Sequence, residues 1–121
     1  MTSPRVLLVD DDQAICTFLA TLLELEGMEP VVARRADEAL AALEGTAAVL
    51  LDVAMPGMDG LELCRRMRAG GYAGPILMVS ARPGPELPRR SIEAGANEFL
   101  RKPFENADLV ARLRHHLGLA G

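Results

Sequence analysis

The chain has few aromatic residues and no excess of basic charge. Its 121 residues include no tryptophan, one tyrosine and three phenylalanines, and the net charge is −4. So few rings disfavour stacking on single-stranded nucleic acid, and the negative charge disfavours binding to a phosphate backbone. No apolar run approaches the roughly 20 residues of a membrane span, and no basic segment precedes an apolar one as in a signal peptide. We therefore expect no nucleic-acid or membrane partner and a cytoplasmic location.

Cysteine is also scarce, with only Cys16 and Cys64 in the chain. Both fall in predicted helices, which favours buried free thiols in a reducing compartment over a disulfide framework. Half of the residues are hydrophobic and a quarter are charged, a balance that excludes disorder. The length is that of one domain. We predict a single domain over residues 1–121, with no output domain after the last helix.

Short apolar runs alternate with helical patterns along the chain. The predicted strands fall at 5–9, 29–33, 48–51, 75–79 and 98–100. Apolar residues at helical spacing follow each strand, at 15–23, 36–43, 61–67, 86–94 and 109–117. Five βα units with short connections predict a parallel sheet with helices on both faces. We predict a flavodoxin-like, doubly wound α/β fold with strand order 2-1-3-4-5.

Two aspartates precede predicted helices and are expected to cap them. Asp12 stands before the first helix, where its side chain can accept hydrogen bonds from free backbone amides. Asp59 stands before the third helix, and Glu62 follows at the spacing of a capping box.

Acidic residues follow the first and third predicted strands. Asp10, Asp11 and Asp12 come after the first strand, and Asp52 ends the third. In the order 2-1-3-4-5 these strands are neighbours, so their acids meet at the carboxyl edge of the sheet, where ligands of such folds bind. Crowded carboxylates repel one another unless a cation neutralises them. Oxygen ligands without histidine or cysteine favour Mg²⁺, Mn²⁺ or Ca²⁺ over Zn²⁺, and Mg²⁺ keeps open positions that suit a phosphoryl group.

Ser80 follows the fourth strand and Lys102 follows the fifth. Lys102 is the only lysine beside twelve arginines. A compact ammonium reaches a single phosphoryl oxygen in a tight site better than a planar guanidinium does, and a serine hydroxyl can donate to another oxygen. Aiming Lys102 inward needs a sharp turn, which makes the bond before Pro103 a candidate cis peptide.

Four segments resemble the signature blocks of response regulator receiver domains, and the resemblance extends from about Arg5 to the end of the last helix. The segments are Val9-Asp-Asp-Asp12, Leu51-Asp-Val-Ala-Met-Pro-Gly-Met-Asp-Gly60, Val79-Ser-Ala81 and Leu100-Arg-Lys-Pro-Phe104. The resemblance implies a receiver of a two-component phosphorelay. Its partners would be a sensor histidine kinase or phosphotransfer protein and a downstream effector that the sequence does not name. It would catalyse its own phosphorylation and dephosphorylation and would not be a turnover enzyme.

The resemblance also implies a role for each acid. Asp52 would be the phospho-acceptor. Asp11 would bind Mg²⁺ directly and Asp10 more through water, with Asp52 and the backbone carbonyl of Ala54 as further ligands. Mn²⁺ is a possible substitute for Mg²⁺.

Further implied roles concern the phosphoryl group and the response to it. Ser80 and Lys102 would hold phosphoryl oxygens, and Ser80 would move toward the new group on phosphorylation. Phe99 would be the switch aromatic, rotating into the space that Ser80 leaves. Gly57 and Gly60 would belong to the turn after the phospho-acceptor.

Two positions are expected to tune the lifetime of the phosphorylated state. In receivers, the residues two beyond the acceptor and two beyond the hydroxyl flank the path of the attacking water, and here these are Ala54 and Arg82. A methyl group cannot orient water, whereas Arg82 can shield the phosphoryl group by charge and bulk. We predict that Arg82 slows the loss of phosphate.

The fourth helix departs from the usual receiver pattern. The chain around its start contains Pro83, Pro85 and Pro88, which cannot donate backbone hydrogen bonds, so we predict a short or delayed helix. In receivers of winged-helix transcription factors this face carries an acidic–basic pairing pattern for dimers. Pro88 and Asn97 stand where a basic and an acidic residue are expected, which argues against the usual activated dimer.

Three other functions fit parts of the pattern. A phosphatase of the haloacid dehalogenase type would need a second aspartate where Ala54 stands. A pseudo-receiver would keep the fold without phosphorylation, against which the complete set of acids, Ser80 and Lys102 argues. A flavodoxin-type nucleotide binder would need a glycine-rich phosphate loop after the first strand, which the sequence lacks.

Overall fold

The structure is a computed structural model that describes residues 3–55 and 57–119, the side chain of Met58 excepted. The predicted domain, 1–121, therefore extends past the described residues at both ends, and Pro56 of the second signature block also lies outside them. The sheet contains β1 (Arg5–Val9), β2 (Glu29–Ala33), β3 (Ala48–Asp52), β4 (Ile76–Ser80) and β5 (Glu98–Arg101). The helices are α1 (Gln13–Leu25), α2 (Ala36–Ala41), α3 (Gly60–Ala69), α4 (Leu87–Ala94) and α5 (Asn106–His116).

The five strands form one parallel sheet in the order β2-β1-β3-β4-β5, which confirms the predicted fold and strand order. The ladder extends further than the apolar runs predicted. Asp52 pairs with Val79, and Ser80 pairs with Arg101, so these polar residues belong to the strands. The reason is that parallel pairing uses backbone groups and is indifferent to side-chain polarity. The functional side chains consequently start from rigid strand ends.

The core lies on both faces of the sheet because successive strand residues point to opposite sides. Toward one face point Leu7, Val9, Val49, Leu51, Ile76 and Met78. Toward the other point Val6, Leu8, Leu50, Leu77 and Val79. All of these side chains are buried, and burial of each such aliphatic side chain contributes about 1.5–3 kcal/mol. Cys16 and Cys64 are buried free thiols, as predicted.

Side-chain caps begin two of the helices. Asp12 accepts hydrogen bonds from the amides of Ala14 and Ile15 at 2.9 and 3.2 Å, which confirms it as the N-cap of α1. Asp59 accepts one from the Leu61 amide at 2.8 Å and caps α3. The capping box expected of Glu62 does not form, because its carboxylate points along the helix surface to two arginines. The partners are Arg65 at 3.4 Å and Arg66 at 3.9 Å.

Two helices are short. α4 has eight residues and carries Pro88 in its first turn, as the prolines predicted, and it is capped by Gly95, which has a left-handed φ of 116°. α2 ends at Ala41, before the end of the predicted stripe, although Leu43 still packs against the core beyond the helix. Within residues 3–55 and 57–119, no helix combines the length and the apolarity of a membrane span.

Candidate functional site

Three carboxylates meet at the carboxyl edge of the sheet, between the ends of β1 and β3. One oxygen from each of Asp10, Asp11 and Asp52 lies within 4.8 Å of the other two. Asp10 and Asp52 are buried, with 4% and 7% of their surface exposed, whereas Asp11 is half-buried. The register explains the meeting, because Val9, the last residue of β1, pairs with Leu51, the residue before Asp52.

Local turns aim two of these carboxylates. Oδ1 of Asp10 accepts a hydrogen bond from the Asp12 amide at 2.9 Å, and Oδ1 of Asp52 accepts one from the Ala54 amide at 3.1 Å. This side-chain-to-backbone turn is typical of aspartate at the start of a loop. In each residue Oδ1 is bound to the backbone, and the other oxygen, Oδ2, is the one that lies nearer to Lys102.

Lys102 enters the same site from the end of β5. Its Nζ lies 3.1 Å from Oδ2 of Asp10 and 4.0 Å from Oδ2 of Asp52, and its side chain is 18% exposed. Its amide donates to the carbonyl of Ser80 at 2.8 Å, which continues the ladder past the strand, and the bond to Pro103 is cis. The ammonium therefore partly neutralises two carboxylates at once.

Burial is the main influence on the pKa of Asp52. Burial raises the pKa of this carboxyl from its ordinary 3.8 to about 6, and the charges of Asp10 and Asp11 act in the same direction. The Lys102 ammonium and the Ala54 amide act in the opposite direction but do not prevail. The site therefore places three acidic side chains against one ammonium, so that acidic groups outnumber basic ones.

The donor set of this site fits a hard divalent cation. Each side chain of the cluster offers a carboxylate oxygen, and no histidine or cysteine belongs to the cluster among the described residues. Mg²⁺ prefers such oxygens and usually takes only one or two carboxylates, so that water or phosphate oxygens complete its shell. Ala54 follows within a two-residue antiparallel ladder that joins Ala54–Met55 to Met58–Asp59.

The next strand places Ser80 in the interior. Its side chain is fully buried, and its Oγ accepts a hydrogen bond from the Arg82 amide at 2.9 Å. The hydroxyl is thus bound to the loop that leads to α4. Phe99, the predicted switch aromatic, lies one strand further on in register with Met78 and is half-buried against the core.

Arg82 extends toward α3. Its Nη1 lies 3.4 Å from Oδ2 of Asp59, and about a third of its side chain is exposed. The side chain therefore rests on the residue that caps α3, at the rim of the loop that follows Asp52.

Gly60, expected in the turn after the acceptor, is required there by close packing. A Cβ at this position would lie 2.3 Å from the carbonyl oxygen of Asp52 and 2.6 Å from Cα of Val53. The Gly60 amide also donates to the Val53 carbonyl at 2.8 Å. The start of α3 is thereby held against the end of β3. Gly57 has a left-handed φ of 82°, which glycine adopts without strain.

Two arginines that the sequence analysis did not single out organise loops at opposite edges of the sheet: Arg68 holds loops that precede β4 and β5, and Arg101 holds the loop that follows β4, beside the site. Arg68 of α3 donates to the carbonyls of Tyr72, Gly74 and Gly95 and to Oδ1 of Asn97. Arg101 donates to two carbonyls of the β4–α4 loop and lies over the ring of Phe99. The one available sequence signal was the position of Arg101, two residues after Phe99 and so on the same face of the strand.

The opposite side of β5 carries a separate ionic cluster. Glu98 pairs with Arg112 of α5, and its Oε2 lies 2.6 Å from Nε2 of His116. Arg112 also pairs with Asp108 at 3.0 Å. These contacts lie within one chain and join β5 to α5.

An α/β domain with this strand order and an acidic cluster at its carboxyl edge defines a flavodoxin-like class of signalling and binding domains. The family model of the response regulator receiver domain matches residues 6–114, and the chain belongs to this family, the receiver domains of two-component systems. It is 41% identical over 112 residues to "Response regulator MprA" of Mycolicibacterium vanbaalenii and 40% identical to "Transcriptional regulatory protein CpxR" of Klebsiella pneumoniae. Each match covers 91% of this chain but only 48% and 47% of the relative, so the chain spans about half their length.

Solved structures agree with this assignment. The receiver domain of the Francisella response regulator 1452 superimposes with a TM-score of 0.90 at 29% identity, covering 96% of this chain and 98% of that one. The BeF3-activated N-terminal receiver domain of Klebsiella pneumoniae RstA gives a TM-score of 0.86 at 37% identity, covering 93% and 97%.

Proposed function

We propose that this receiver accepts a phosphoryl group on Asp52 from a phosphohistidine of a sensor histidine kinase or phosphotransfer protein in the cytoplasm. The observation that carries the proposal is the convergence of Asp10, Asp11, Asp52 and Lys102 at one edge of the sheet. Asp52 is the acid of this set that ends the central strand β3. The downstream effector is a protein partner that reads the α4–β5–α5 face.

The geometry supports Oδ2 of Asp52 as the attacking oxygen. Oδ1 is held by the Ala54 amide, whereas Oδ2 lies 4.0 Å from the Lys102 ammonium. Attack of Oδ2 on phosphorus forms the P–O bond while the P–N bond to the donor imidazole breaks, and the imidazole leaves with the electron pair. The Lys102 ammonium then neutralises a transferred oxygen, and most of the rate comes from positioning and charge neutralisation.

A bound Mg²⁺, or Mn²⁺ in its place, would be held by Asp10, Asp11, Asp52 and the Ala54 carbonyl, and would supply charge neutralisation for the phosphoryl oxygens. The excess of acidic over basic groups in the site supports this assignment. Asp10 stays paired with Lys102 at 3.1 Å, so its carboxylate is already partly neutralised, whereas Asp11 is more exposed.

The stored phosphoryl group would be read through Ser80 and Phe99. The Ser80 hydroxyl would leave the Arg82 amide and donate to a phosphoryl oxygen, and Phe99 would rotate toward the vacated space. A new dianionic group thereby biases a two-state element. Water then cleaves the acyl phosphate and returns Asp52 and inorganic phosphate, so the protein acts as a timer and not as a turnover enzyme.

Asp52→Asn tests the acceptor. The change keeps the shape of the side chain and removes the nucleophile, so a small phosphodonor with Mg²⁺ should add one phosphoryl group to the parent and none to the variant, as measured by intact mass. Asp37→Asn, the same change at an exposed residue, should label like the parent. Labelling of Asp52→Asn at the parental rate would show that another residue accepts the phosphoryl group.

A further inference from the structure

Arg101 is the last residue of β5, next to residues of the proposed switch. It pairs in the ladder with Ser80, the predicted hydroxyl of the phosphoryl site, and its side chain shares a strand face with Phe99. Although Arg101 is exposed, its guanidinium is bound on several sides. The residue therefore lies between the two parts of the proposed switch.

The guanidinium of Arg101 holds the β4–α4 loop by its backbone. Nη1 donates to the carbonyl of Arg82, and Nη2 donates to the carbonyl of Gly84 at 3.0 Å. Gly84 has a left-handed φ of 131°, so this part of the loop follows a path that other residues rarely adopt. The planar guanidinium presents its two donors to these carbonyls in a fixed geometry, whereas an ammonium is a compact charge on a flexible stem and holds them less firmly.

The same guanidinium also contacts Phe99. Its Cζ lies 5.1 Å from the centroid of the ring, within the range of a cation–π interaction. The contact depends on the present position of the ring, because rotation of Phe99 would carry the ring away from the cation.

These contacts continue to Ser80 through one residue. The amide of Arg82 donates to Oγ of Ser80 at 2.9 Å, while the carbonyl of Arg82 accepts from Arg101. Both polar groups of the Arg82 backbone are therefore hydrogen-bonded, the amide to Ser80 and the carbonyl to Arg101, which also contacts Phe99. Movement of the Ser80 hydroxyl toward a phosphoryl group requires its hydrogen bond with the Arg82 amide to break. The hydrogen bond from Arg101 to the Arg82 carbonyl holds the loop against that movement.

We propose that Arg101 is a positioning residue that latches the unphosphorylated conformation, acting on Ser80 through the Arg82 backbone and on Phe99 through its ring. The proposal rests on the proposed function, since it concerns the response to phosphorylation of Asp52. Loss of these Arg101 contacts raises the fraction of molecules in the phosphoryl-binding conformation. The apparent affinity for a phosphoryl mimic rises with that fraction.

The test compares Arg101→Ala, Arg101→Lys and the parent, with Arg66→Ala as a control that removes an exposed arginine from α3. Beryllium fluoride with Mg²⁺ serves as the phosphoryl mimic, and binding is followed by calorimetry. Loss of the latch should lower the apparent Kd of Arg101→Ala by about 3- to 10-fold, with a smaller change for Arg101→Lys and none for Arg66→Ala.

A second measurement needs no ligand. Hydrogen exchange of the Arg82 amide, bonded to Ser80, should be faster in Arg101→Ala than in the parent, while amides in the core of β1 exchange as before. If Arg101→Ala binds beryllium fluoride with the parental affinity, Arg101 has a purely structural role and the proposal is wrong, whether or not the Arg82 amide exchanges faster. A failure of the proposed function would look different. The parent itself would then not bind beryllium fluoride, and the proposed role of Arg101 would be wrong as well.

Discussion

Asp52 is the residue at which burial and charge most directly oppose stability. Its pKa is raised to about 6 in the folded chain, compared with 3.8 for the ordinary carboxyl. Between pH values of about 4 and about 6, Asp52 therefore binds a proton more tightly in the folded state than in the unfolded state. Stability falls as the pH rises from about 4 to about 6, and the loss persists above that range. The charge that Asp52 needs for its proposed role as a nucleophile is thus maintained at the expense of the fold.

Asp52→Asn should consequently stabilise the metal-free protein at pH 8. Removing an unfavourable buried charge is expected to raise the free energy of unfolding by about 1–3 kcal/mol, and the gain should shrink toward pH 4, where Asp52 is protonated. Urea denaturation with a chelator present, repeated across this range, measures the effect. Asp37→Asn should show no such gain, because the pKa of exposed Asp37 is lowered, mainly by its hydrogen bond with Arg35. Equal stability of parent and Asp52→Asn at pH 8 would contradict the account.

Arg82 acts at the rim of the same site. Truncation to alanine removes the guanidinium that lies 3.4 Å from Asp59 but leaves the backbone bonds of residue 82 in place. We expect Arg82→Ala to lose phosphate from Asp52 several-fold faster at fixed Mg²⁺, because water then reaches the acyl phosphate more easily. Decay of the phosphorylated mass measures the rate, and Arg90→Ala, an exposed arginine of α4, is the matched control. A rate equal to or slower than the parent's would rule out shielding by Arg82.

At the scale of the elements, the start of α3 positions Asp52, the proposed acceptor. Its first residue, Gly60, touches the backbone of Asp52 and Val53 so closely that no side chain fits. The helix and the end of β3 therefore form one rigid unit, in which a shift of α3 displaces the carbonyl of Asp52. The sequence placed a helix cap here but could not show this contact, because it depends on how far the helix approaches the strand.

Gly60→Ala should destabilise the chain by about 3 kcal/mol, because the new methyl group meets backbone atoms that cannot move aside. Gly70→Ala at the other end of α3 is the control, since its Cβ would lie 3.4 Å from the Arg66 carbonyl, an ordinary contact. Thermal denaturation of both variants tests the difference. Similar melting temperatures for the two would show that α3 can move away from β3 at low cost.

Element type could be predicted from the sequence better than element ends. The continuous apolar runs indicated buried parallel strands, yet Asp52, Ser80 and Arg101 extend them because backbone pairing ignores polarity. Arg68 illustrates a different limit. It resembles Arg65 and Arg66 in the helical pattern, and only the folded path of two loops makes it the donor to three carbonyls.

At the scale of the whole molecule, ion binding at the acidic edge should stabilise every strand that ends there. Mg²⁺ at ten times its Kd would add about 1.4 kcal/mol by linkage, a rise of about 3–6 °C in Tm. Asp11→Ala should abolish the rise, whereas Glu44→Ala, which removes an exposed acid elsewhere, should keep it. Thermal scans with Mg²⁺ or chelator measure the increment. If Mg²⁺ raises the Tm of Asp11→Ala as much as that of the parent, Asp11 is not a ligand.

The site itself was largely predictable because topology alone brings strand ends together. Asp10, Asp52 and Lys102 are far apart in the chain, but the order 2-1-3-4-5 places β1 beside β3, with β5 two strands further along the same edge. The structure brings the Lys102 ammonium to 3.1 Å from Asp10 and 4.0 Å from Asp52. The hold of Arg101 on the β4–α4 loop was not predictable in this way. It depends on the path of a loop with three prolines and a left-handed glycine, which strand order does not determine.

The single lysine has a consequence for chemical labelling. Apart from the α-amino group, the only amine of the chain is that of Lys102, and it lies between two buried carboxylates with 18% of the side chain exposed. A reagent that methylates amines therefore attaches its one side-chain probe inside the proposed phosphoryl site. Ion binding and phosphorylation change the charge around that nitrogen, so the resonance of its methyl groups would follow occupancy of the site without overlap from surface lysines.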